Sequence, residues 1–345
     1  MMRFRPLEPW QDPRGGQIER VRIDNGIIAL EVLSLGGIIR SLWAPDKDGE
    51  RGNIVLGCDS IEDYLAQGAH LGAIAGRYAN RVANGQMSYQ GESYQLNVNQ
   101  ATNCLHGGSE GFNRKHWHIG PLPDGVRLSL TSPDGDMGFP GNCNLQLDYR
   151  LVANNLCMEI FASTDKACPI SLTQHSYFNL EGAQSSSNRD HKLQIDSQTL
   201  LTLNQLGLPS GTKNIAGSLL DFQQAKSFGV VQEDNAFPTT SGIDHCYLTS
   251  AKSAELTRFG CLSAPKSGRT MTLYTNQPSV QIYGANFLQG EKGRNEQVLA
   301  RHQAICIEPQ QIPDGPNQTK LISDPWIKPD QVYHHISRYQ FGVSE

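Results

Sequence analysis

The sequence has little charge, no long apolar run and no basic tract, and each absence excludes a class of protein. Only 18% of its 345 residues are charged, and 29 Lys+Arg against 34 Asp+Glu leave a net charge of −5. A chain without basic clusters lacks the electrostatic signature of a nucleic-acid binder. No window approaches the roughly 18 to 20 apolar residues of a membrane helix, and residues 1–16 contain no apolar core of a secretory signal. We therefore expect a cytoplasmic protein that binds neither nucleic acid nor membranes.

The eight cysteines do not form a recognisable framework either. None belongs to a C-x-x-C pair, and disulfide scaffolds are typical of short, cysteine-dense secreted chains rather than of a chain this long. We expect reduced thiols that are mostly buried as small core residues. The cysteines are Cys58, Cys104, Cys143, Cys157, Cys168, Cys246, Cys261 and Cys306.

Helical patterns are scarce, whereas short runs typical of β-strands occur throughout. Only Ser60–Ala66 has a helical pattern, with Ser60 as the N-cap. Because strands do not alternate with long helices, a doubly wound α/β sheet is excluded. We expect an all-β protein, a single large antiparallel β-sandwich domain over residues 1–345. The predicted strands are Ile27–Leu33, Gly37–Trp43, Arg127–Thr131, Leu145–Val152, Leu156–Ala162, Ser171–Phe178, Lys192–Thr202, Thr270–Thr275, Val280–Tyr283, Ala304–Glu308 and Val332–Tyr339.

Two predicted strands carry polar groups that do not suit a plain sandwich. If residues 171–178 form one strand, Thr173, His175, Tyr177 and Asn179 share a face, since side chains alternate along a strand. That face suits a cleft lining, although a solvated outer face is the alternative. The second strand is apolar and ends at Glu308, as if its carboxylate pointed to the mouth of a pocket. On its own, that carboxylate could equally begin an ordinary loop.

Three further segments collect groups able to bind hydroxyls. Gly76–Arg81 offers two guanidinium groups and an amide, and Asn103–Gly108 places a histidine just before a diglycine. Gly242–His245 lies between a loop and a short apolar run. Each segment alone is weak, because Asn, Asp and Gly are ordinary turn residues.

Metal and nucleophile motifs find little support. His116 and His118 on a strand would present both imidazoles to one side, but spacing supplies no third ligand nearby. The sequence has no G-x-S-x-G, no H-E-x-x-H and no G-x-G-x-x-G followed by a helix. We expect neither a metal nor a cofactor, although a zinc enzyme using the two histidines stays as an alternative.

Taken in chain order, the polar segments resemble the aldose 1-epimerase (galactose mutarotase) family over residues from about 20 to 340. The departures are Pro309, where the family more often has Thr, and Ser210, which replaces a common Thr. The segments that carry the resemblance are Gly76–Arg81 (GRYANR), Asn103–Gly108 (NCLHGG), Thr173–Leu180 (TQHSYFNL), Asp244-His245, Gln281 and Glu308.

The resemblance implies a β-sandwich of the galactose mutarotase type and the interconversion of α and β anomers of free aldoses. It implies that Glu308 is the general base and His175 the general acid, with His106 also counted at the catalytic centre. It further implies a set of residues that bind the sugar hydroxyls: Asn80, Arg81, His106, Tyr177, Asp244 and Gln281.

Three alternatives and two open questions remain at this point. The fold could serve a hexose 6-phosphate, which would call for a basic cluster near the motifs beyond Arg77 and Arg81. It could also be a non-catalytic sugar-binding protein, or the zinc enzyme considered above. The sequence does not decide between a monomer and a homodimer, nor whether Tyr177 stacks on the sugar or hydrogen-bonds to it.

Overall fold

A computed structural model describes residues 2–232, 237, 240–251, 255–318 and 324–344, and these are built almost entirely of β-strands. Helix α1 (Ile61–Ala66) follows Ser60, whose hydroxyl accepts the Asp63 amide at 3.1 Å, as the sequence predicts. The strands are β1 (Arg3–Gln11), β2 (Gln17–Asp24), β3 (Ala29–Leu33), β4 (Ile39–Pro45), β5 (Arg51–Asn53), β6 (Ile74–Ala75), β7 (Arg81–Val82), β8 (Gln86–Tyr89), β9 (Glu92–Gln95), β10 (Cys104–Leu105), β11 (His118–Leu122), β12 (Gly125–Ser132), β13 (Cys143–Val152), β14 (Asn155–Thr164), β15 (Cys168–Pro169), β16 (Thr173–Gln174), β17 (Tyr177–Phe178), β18 (Lys192–Ile195), β19 (Thr199–Leu203), β20 (Pro209–Asn214), β21 (Lys226–Ser227), β22 (Asp244–Leu248), β23 (Thr257–Ser263), β24 (Arg269–Thr275), β25 (Ser279–Tyr283), β26 (Gln289–Lys292), β27 (Val298–Ala300), β28 (Ile305–Gln310), β29 (Trp326–Ile327) and β30 (Tyr333–Val343).

Three antiparallel sheets make up most of the fold. The largest has nine strands in the order β11-β12-β13-β14-β30-β24-β23-β18-β21, and the second has six in the order β17-β28-β25-β22-β19-β20. Strands β1 to β5 form a third sheet as a simple meander. Chain neighbours therefore often pair, but β28 and β30 join strands far away in sequence.

The core lies between the nine-stranded and six-stranded sheets. Phe178 of β17 packs against Tyr339 of β30 at 5.8 Å between ring centroids, and Tyr247 of β22 packs near Phe259 of β23 at 6.4 Å. One continuous apolar cluster includes residues of all three large sheets. The expected all-β antiparallel sandwich is thus the fold of the described chain.

Several predicted elements are confirmed closely. Ala153-Asn154-Asn155 separates the predicted strands Leu145–Val152 and Leu156–Ala162, which predicts a hairpin. Strands β13 and β14 form this hairpin and turn at Ala153-Asn154, because Val152 pairs with Asn155. Predicted strands at Thr270–Thr275 and Val280–Tyr283 correspond to β24 and β25 with one extra residue each. These runs combine alternation with β-branched or aromatic residues, which is where sequence patterns are most informative.

Other predicted strands are wrong in extent. Ser171–Phe178 divides into β16 and β17, and Lys192–Thr202 into β18 and β19, with the halves in different sheets. The predicted strand Ala304–Glu308 corresponds to β28 (Ile305–Gln310), which continues through Pro309, so Glu308 does not end its strand. Strands β1 and β2 carry many charged and proline residues and were not anticipated. Local pattern cannot specify where a chain leaves one sheet for another.

The histidine pair considered for zinc does not form a metal site. His116 Nε2 lies 2.7 Å from a carboxylate oxygen of Asp12, whereas His118 is exposed at the start of β11. Over the described residues, neither histidine belongs to a group of three possible metal ligands.

The cysteine prediction is confirmed, because all eight are free and six are buried. Within the described residues, no helix is long and apolar enough to cross a membrane.

Arg77, read from sequence as a possible hydroxyl ligand, is instead a structural residue. Its side chain is 2% exposed and donates to the Ser132 hydroxyl and to the carbonyls of Ser132, Pro133, Pro140 and Gly141, at 2.8 to 3.0 Å. The guanidinium thereby fastens β12 to the loop that precedes β13. Its bonds to these five acceptors use the planar fork of arginine, which lysine does not reproduce.

We expect Arg77→Lys to lower the free energy of unfolding by about 2 kcal/mol or more, since several buried charge-assisted bonds are lost. Urea denaturation checks this, with the exposed Arg189→Lys as the matched control. Unchanged stability together with a raised Michaelis constant would instead return Arg77 to the sugar site.

Candidate active site

One cleft, of about 380 Å³, lies at the open face of the six-stranded sheet. Its floor comes from β17, β22, β25 and β28, and its walls from the loops before β6, β7 and β26. The cleft brings together all of the residues expected from the family resemblance: Asn80, Arg81, His106, His175, Tyr177, Asp244, Gln281 and Glu308.

Strand alternation makes this face polar and the opposite face apolar. Gln281 of β25 is the cross-strand partner of Glu308 of β28, so both side chains leave the sheet on the cleft side. Their neighbours Ile282 and Ile307 pair with each other and point into the core. The same sheet thus supplies the apolar packing of the sandwich and the polar floor of the cleft.

Two loops are joined at the wall of the cleft by Asn80 and His106. The Asn80 amide donates to His106 Nδ1 at 3.1 Å, and the His106 amide donates to the Asn80 carbonyl at 3.0 Å. Both residues have positive φ, 67° and 51°, a conformation that costs free energy in residues with a Cβ. The reciprocal bonds hold both side chains in place against that cost.

Glu308 and His175 form a buried pair at the centre of the floor. Nε2 of His175 lies 3.5 Å from Oε2 of Glu308, and the residues are 5% and 2% exposed. Nδ1 of His175 is buried without a hydrogen-bond partner. Since an unpaired acceptor is tolerated better than an unpaired N–H, the proton belongs on Nε2, facing the carboxylate.

Burial shifts both pKa values of this pair. Burial, and then the Asp244 carboxylate, raise the pKa of Glu308 well above its ordinary value. Burial, and then nearby His70, lower the pKa of His175 to about 3. At a pH between these two pKa values the pair holds a single titratable proton. One group can therefore accept a proton while the other donates one.

Three imidazoles lie close together in the cleft, those of His70, His106 and His175, and the sequence had indicated only the last two. His70 lies 4.7 Å from His106 and 6.0 Å from His175 between ring centroids. Nδ1 of His70 donates to the Gly68 carbonyl at 3.0 Å, which leaves Nε2 as an acceptor. Nδ1 of His106 accepts an amide, so its Nε2 carries the proton. Burial lowers the pKa of both, to about 4 for His70, so both rings are neutral near pH 7.

A chain of side-chain amides continues from the centre towards the rim. Nε2 of Gln281 donates to the Asp244 carboxylate at 2.7 Å, and Nδ2 of Asn80 lies 3.4 Å from Oε1 of Gln281. Arg81 is held by Gln100, whose Oε1 accepts its Nε–H at 2.7 Å. Such groups provide donors and acceptors in fixed positions, as the recognition of several hydroxyls requires.

The polar face predicted at residues 173–179 is half correct. His175 and Tyr177 line the cleft, whereas Thr173 is buried away from it and Asn179 donates to the carbonyls of Ser187 and Gln303. The break between β16 and β17 removes the common face. The Tyr177 hydroxyl already donates to the Ala69 carbonyl at 2.8 Å, and its ring stacks on His175 at 5.2 Å.

Sequence reasoning missed several lining residues, most of which lie in loops or short strands without a distinctive pattern. Tyr283 shares the face of Gln281 two positions along β25, and this alternation is the one signal that was available. The missed polar and aromatic lining residues are His70, Gln100, Tyr283, Phe287 and Glu291.

One group beside the floor offers metal-binding atoms. His175, Cys306 and Glu308 each place one possible ligand atom within 4.8 Å of the other two. This was not anticipated, because Cys306 had been expected only as a small core residue.

We expect Glu308→Gln to stabilise the fold by about 0.5 to 2 kcal/mol at pH 7.5, the usual range for relieving a destabilised active site. The raised pKa means that the native state holds this proton more tightly than the unfolded chain. The contribution of the protonated Glu308 to stability is therefore complete below about pH 4.5 and is lost as the pH rises.

The stabilisation by Glu308→Gln should accordingly vanish near pH 4. Thermal unfolding of wild type and variant at pH 4 and at pH 7.5 measures this. Glu62→Gln, on the exposed surface of α1, is the control. A variant less stable than wild type at pH 7.5 would mean that the carboxylate is stabilised by its neighbours.

The chain is similar in sequence and in fold to known proteins. The family model described as aldose 1-epimerase matches residues 19–340. Galactose mutarotase of Homo sapiens is 33% identical over 332 residues, 96% of each chain, and aldose 1-epimerase of Escherichia coli is 36% identical over 323 residues, 92% of this chain and 93% of the relative. The crystal structure of galactose 1-epimerase from Lactobacillus acidophilus superposes with a TM-score of 0.82 at 25% identity, covering 100% of this chain and 99% of that one. The chain belongs to the aldose 1-epimerase family.

Proposed function

We propose that this protein interconverts the α and β anomers of free aldohexoses such as galactose and glucose, with Glu308 as the general base and His175 as the general acid. The observation that carries the assignment of roles is the buried pair, Nε2 to Oε2 at 3.5 Å, on the floor of the cleft. Anomerisation requires proton removal and proton donation at two oxygens bonded to the same carbon. An acid and a base side by side meet that requirement.

The proton transfers balance without any other reactant. In the reacting form the single titratable proton of the pair lies on His175. The Glu308 carboxylate takes the proton of the anomeric hydroxyl, while the His175 imidazolium gives its Nε2 proton to the ring oxygen as the C1–O5 bond breaks and becomes a neutral imidazole. The open aldehyde rotates about C1–C2, and ring closure reverses both transfers. Each positioned group contributes roughly 100- to 10,000-fold.

Burial gives both groups suitable strength. A carboxylate with a raised pKa is a better base once ionised, and an imidazole with a pKa near 3 is a better acid once protonated. The neutral His106 is positioned to donate from Nε2 to a sugar oxygen beside the reacting carbon.

Hydroxyl recognition falls to the residues of the wall and rim. Asn80, Arg81, Asp244 and Gln281 present amide, guanidinium and carboxylate groups to the cleft. Tyr177 presents a ring face rather than a free hydroxyl donor, because its O–H is already bonded to Ala69. This supports apolar contact with the C–H face of the sugar.

Charge favours a free sugar over a sugar phosphate. In the described lining of the cleft, Arg81 is the one Lys or Arg residue, against the carboxylates of Asp244, Glu291 and Glu308. A phosphate would meet net repulsion there. The presence of both proposed acid and base also argues against a purely sugar-binding protein.

We further propose that the chain is one domain over residues 1–345, a cytoplasmic monomer or homodimer. The continuous core that joins the three large sheets supports a single domain. The eight free cysteines support a reducing compartment.

Polarimetry tests the reaction and the base together. We expect wild-type protein to accelerate the mutarotation of freshly dissolved α-glucose and α-galactose, and Glu308→Gln to lower kcat at least about 100-fold. Glu62→Gln should retain full activity. Activity surviving in Glu308→Gln would move the base elsewhere, and inactivity of the wild type towards both sugars would refute the proposal.

The role of Arg81 is tested separately by its effect on KM. Loss of a charged hydrogen-bond donor should raise KM at least about tenfold in Arg81→Ala, more than in Glu308→Gln. Progress curves over a range of galactose concentrations measure this, with Arg189→Ala as the control. An unchanged KM would remove Arg81 from the sugar site.

A further inference from the structure

A buried thiol lies directly beside the proposed acid and base. Cys306 is fully buried and free, and one possible ligand atom from each of His175, Cys306 and Glu308 lies within 4.8 Å of the others. Among the described residues this is the one set of three such groups. The anomerisation proposed above makes no use of the sulfur.

The fold fixes these three donors through the backbone rather than by chance side-chain placement. Cys306 and Glu308 are two positions apart on β28, so both point to the cleft face of the sheet. Cys306 pairs across to Tyr177 of β17, and His175 lies just before that strand. The cluster is therefore built on the most regular part of the floor.

Its donor chemistry suits a borderline-soft cation. Thiolate sulfur, imidazole nitrogen and carboxylate oxygen are the three ligand types that zinc takes in proteins. A tetrahedral zinc ion with bonds of about 2.0 to 2.3 Å places its ligand atoms roughly 3.3 to 3.7 Å apart. The 3.5 Å between His175 and Glu308 already fits, and Cys306 needs a side-chain shift of about 1 Å from the upper limit of 4.8 Å.

Electrostatics also favours a cation at this point. The Asp244 carboxylate interacts with both Glu308 and Cys306. Arg81 opposes this attraction, and its guanidinium donates through Nε to Gln100. A divalent ion would offset the accumulation of negative charge that burial makes costly.

We propose that His175, Cys306 and Glu308 form an inhibitory Zn²⁺ site, in which the ion binds at the floor of the cleft and excludes the sugar reaction. The imidazole nitrogen and carboxylate oxygen that coordinate zinc are those needed for proton transfer. On coordination the Cys306 thiol and the Glu308 carboxyl release their protons to solvent, and the imidazole proton of His175 moves from Nε2 to Nδ1. The fourth position faces the cleft, where water completes the coordination.

Binding is tested with Co²⁺, whose thiolate charge-transfer and tetrahedral d–d absorption bands report sulfur ligation directly. We expect wild-type protein to develop both bands at one equivalent of Co²⁺ and Zn²⁺ to abolish them. Cys306→Ala should lose the charge-transfer band. Cys246→Ala is the matched control, because Cys246 is a buried thiol on the same sheet face but outside the cluster; it should retain the band.

Inhibition is tested by titrating Zn²⁺ into the polarimetric assay. We expect Cys306→Ala to stay active and to need at least about tenfold more Zn²⁺ for half inhibition, since losing even an outer-shell partner costs 10- to 100-fold in metal affinity. Saturating galactose should protect the wild type. If Cys306→Ala does not fold, Cys306→Ser preserves the volume while replacing the thiolate.

The inhibition, though not the binding, rests on the proposed function, and the two experiments separate their failures. If the wild type is inactive but shows the charge-transfer band, and Cys306→Ala loses that band, the proposed reaction is overturned and the metal site is supported. An active protein without the band overturns the site alone. Equal inhibition of wild type and Cys306→Ala by Zn²⁺ would also overturn the proposed metal site.

Discussion

The structure depends above all on the two-residue alternation of β25 and β28 in the middle of the six-stranded sheet. Ile282 and Ile307 face the core from these strands, while Gln281 and Glu308 face the cleft opposite them. A one-residue slip in register would bury the carboxylate in the core and expose the isoleucines. The apolar half of each strand therefore fixes where the polar half lies, and packing of the sandwich positions the chemistry.

Placing that chemistry on a core strand has an electrostatic consequence. Glu308 and His175 are nearly inaccessible, and burial moves the pKa of the first up and of the second down. Each shift disfavours the charged form in the free protein and makes that form more reactive when substrate binds. If the two residues act as proposed, stability is reduced where reactivity is needed, which is the usual compromise in active sites.

The imidazoles and amides around this pair show how a wall of loops is made rigid. His70, Asn80 and His106 all have positive φ, and each is held by hydrogen bonds of its own backbone or ring. These bonds also fix the tautomers, so His70 presents an acceptor and His106 a donor. Such bonds restrict the side chains of the loops to fixed positions, as a preorganised binding site requires.

Local pattern by itself determined the all-β class, helix α1 with its Ser60 cap, the hairpin at Ala153-Asn154 and the regular strands β24 and β25. These depend on neighbours within a few residues, through capping, turn chemistry and alternation. The family resemblance, carried by short motifs, singled out the eight residues that the cleft brings together, but neither it nor the pattern could describe their geometry.

Tertiary structure decided the rest, because contacts between residues far apart in sequence are set by which strands pair. Arg77 and Arg81 are four residues apart, yet one fastens β12 inside the protein and the other lines the cleft. His70 and Cys306 carry no motif, and they come near His175 only through the loop before β6 and the pairing of β28 with β17. Short-range pattern contains no information on such pairings, since they follow from how the sheets stack to bury their apolar faces.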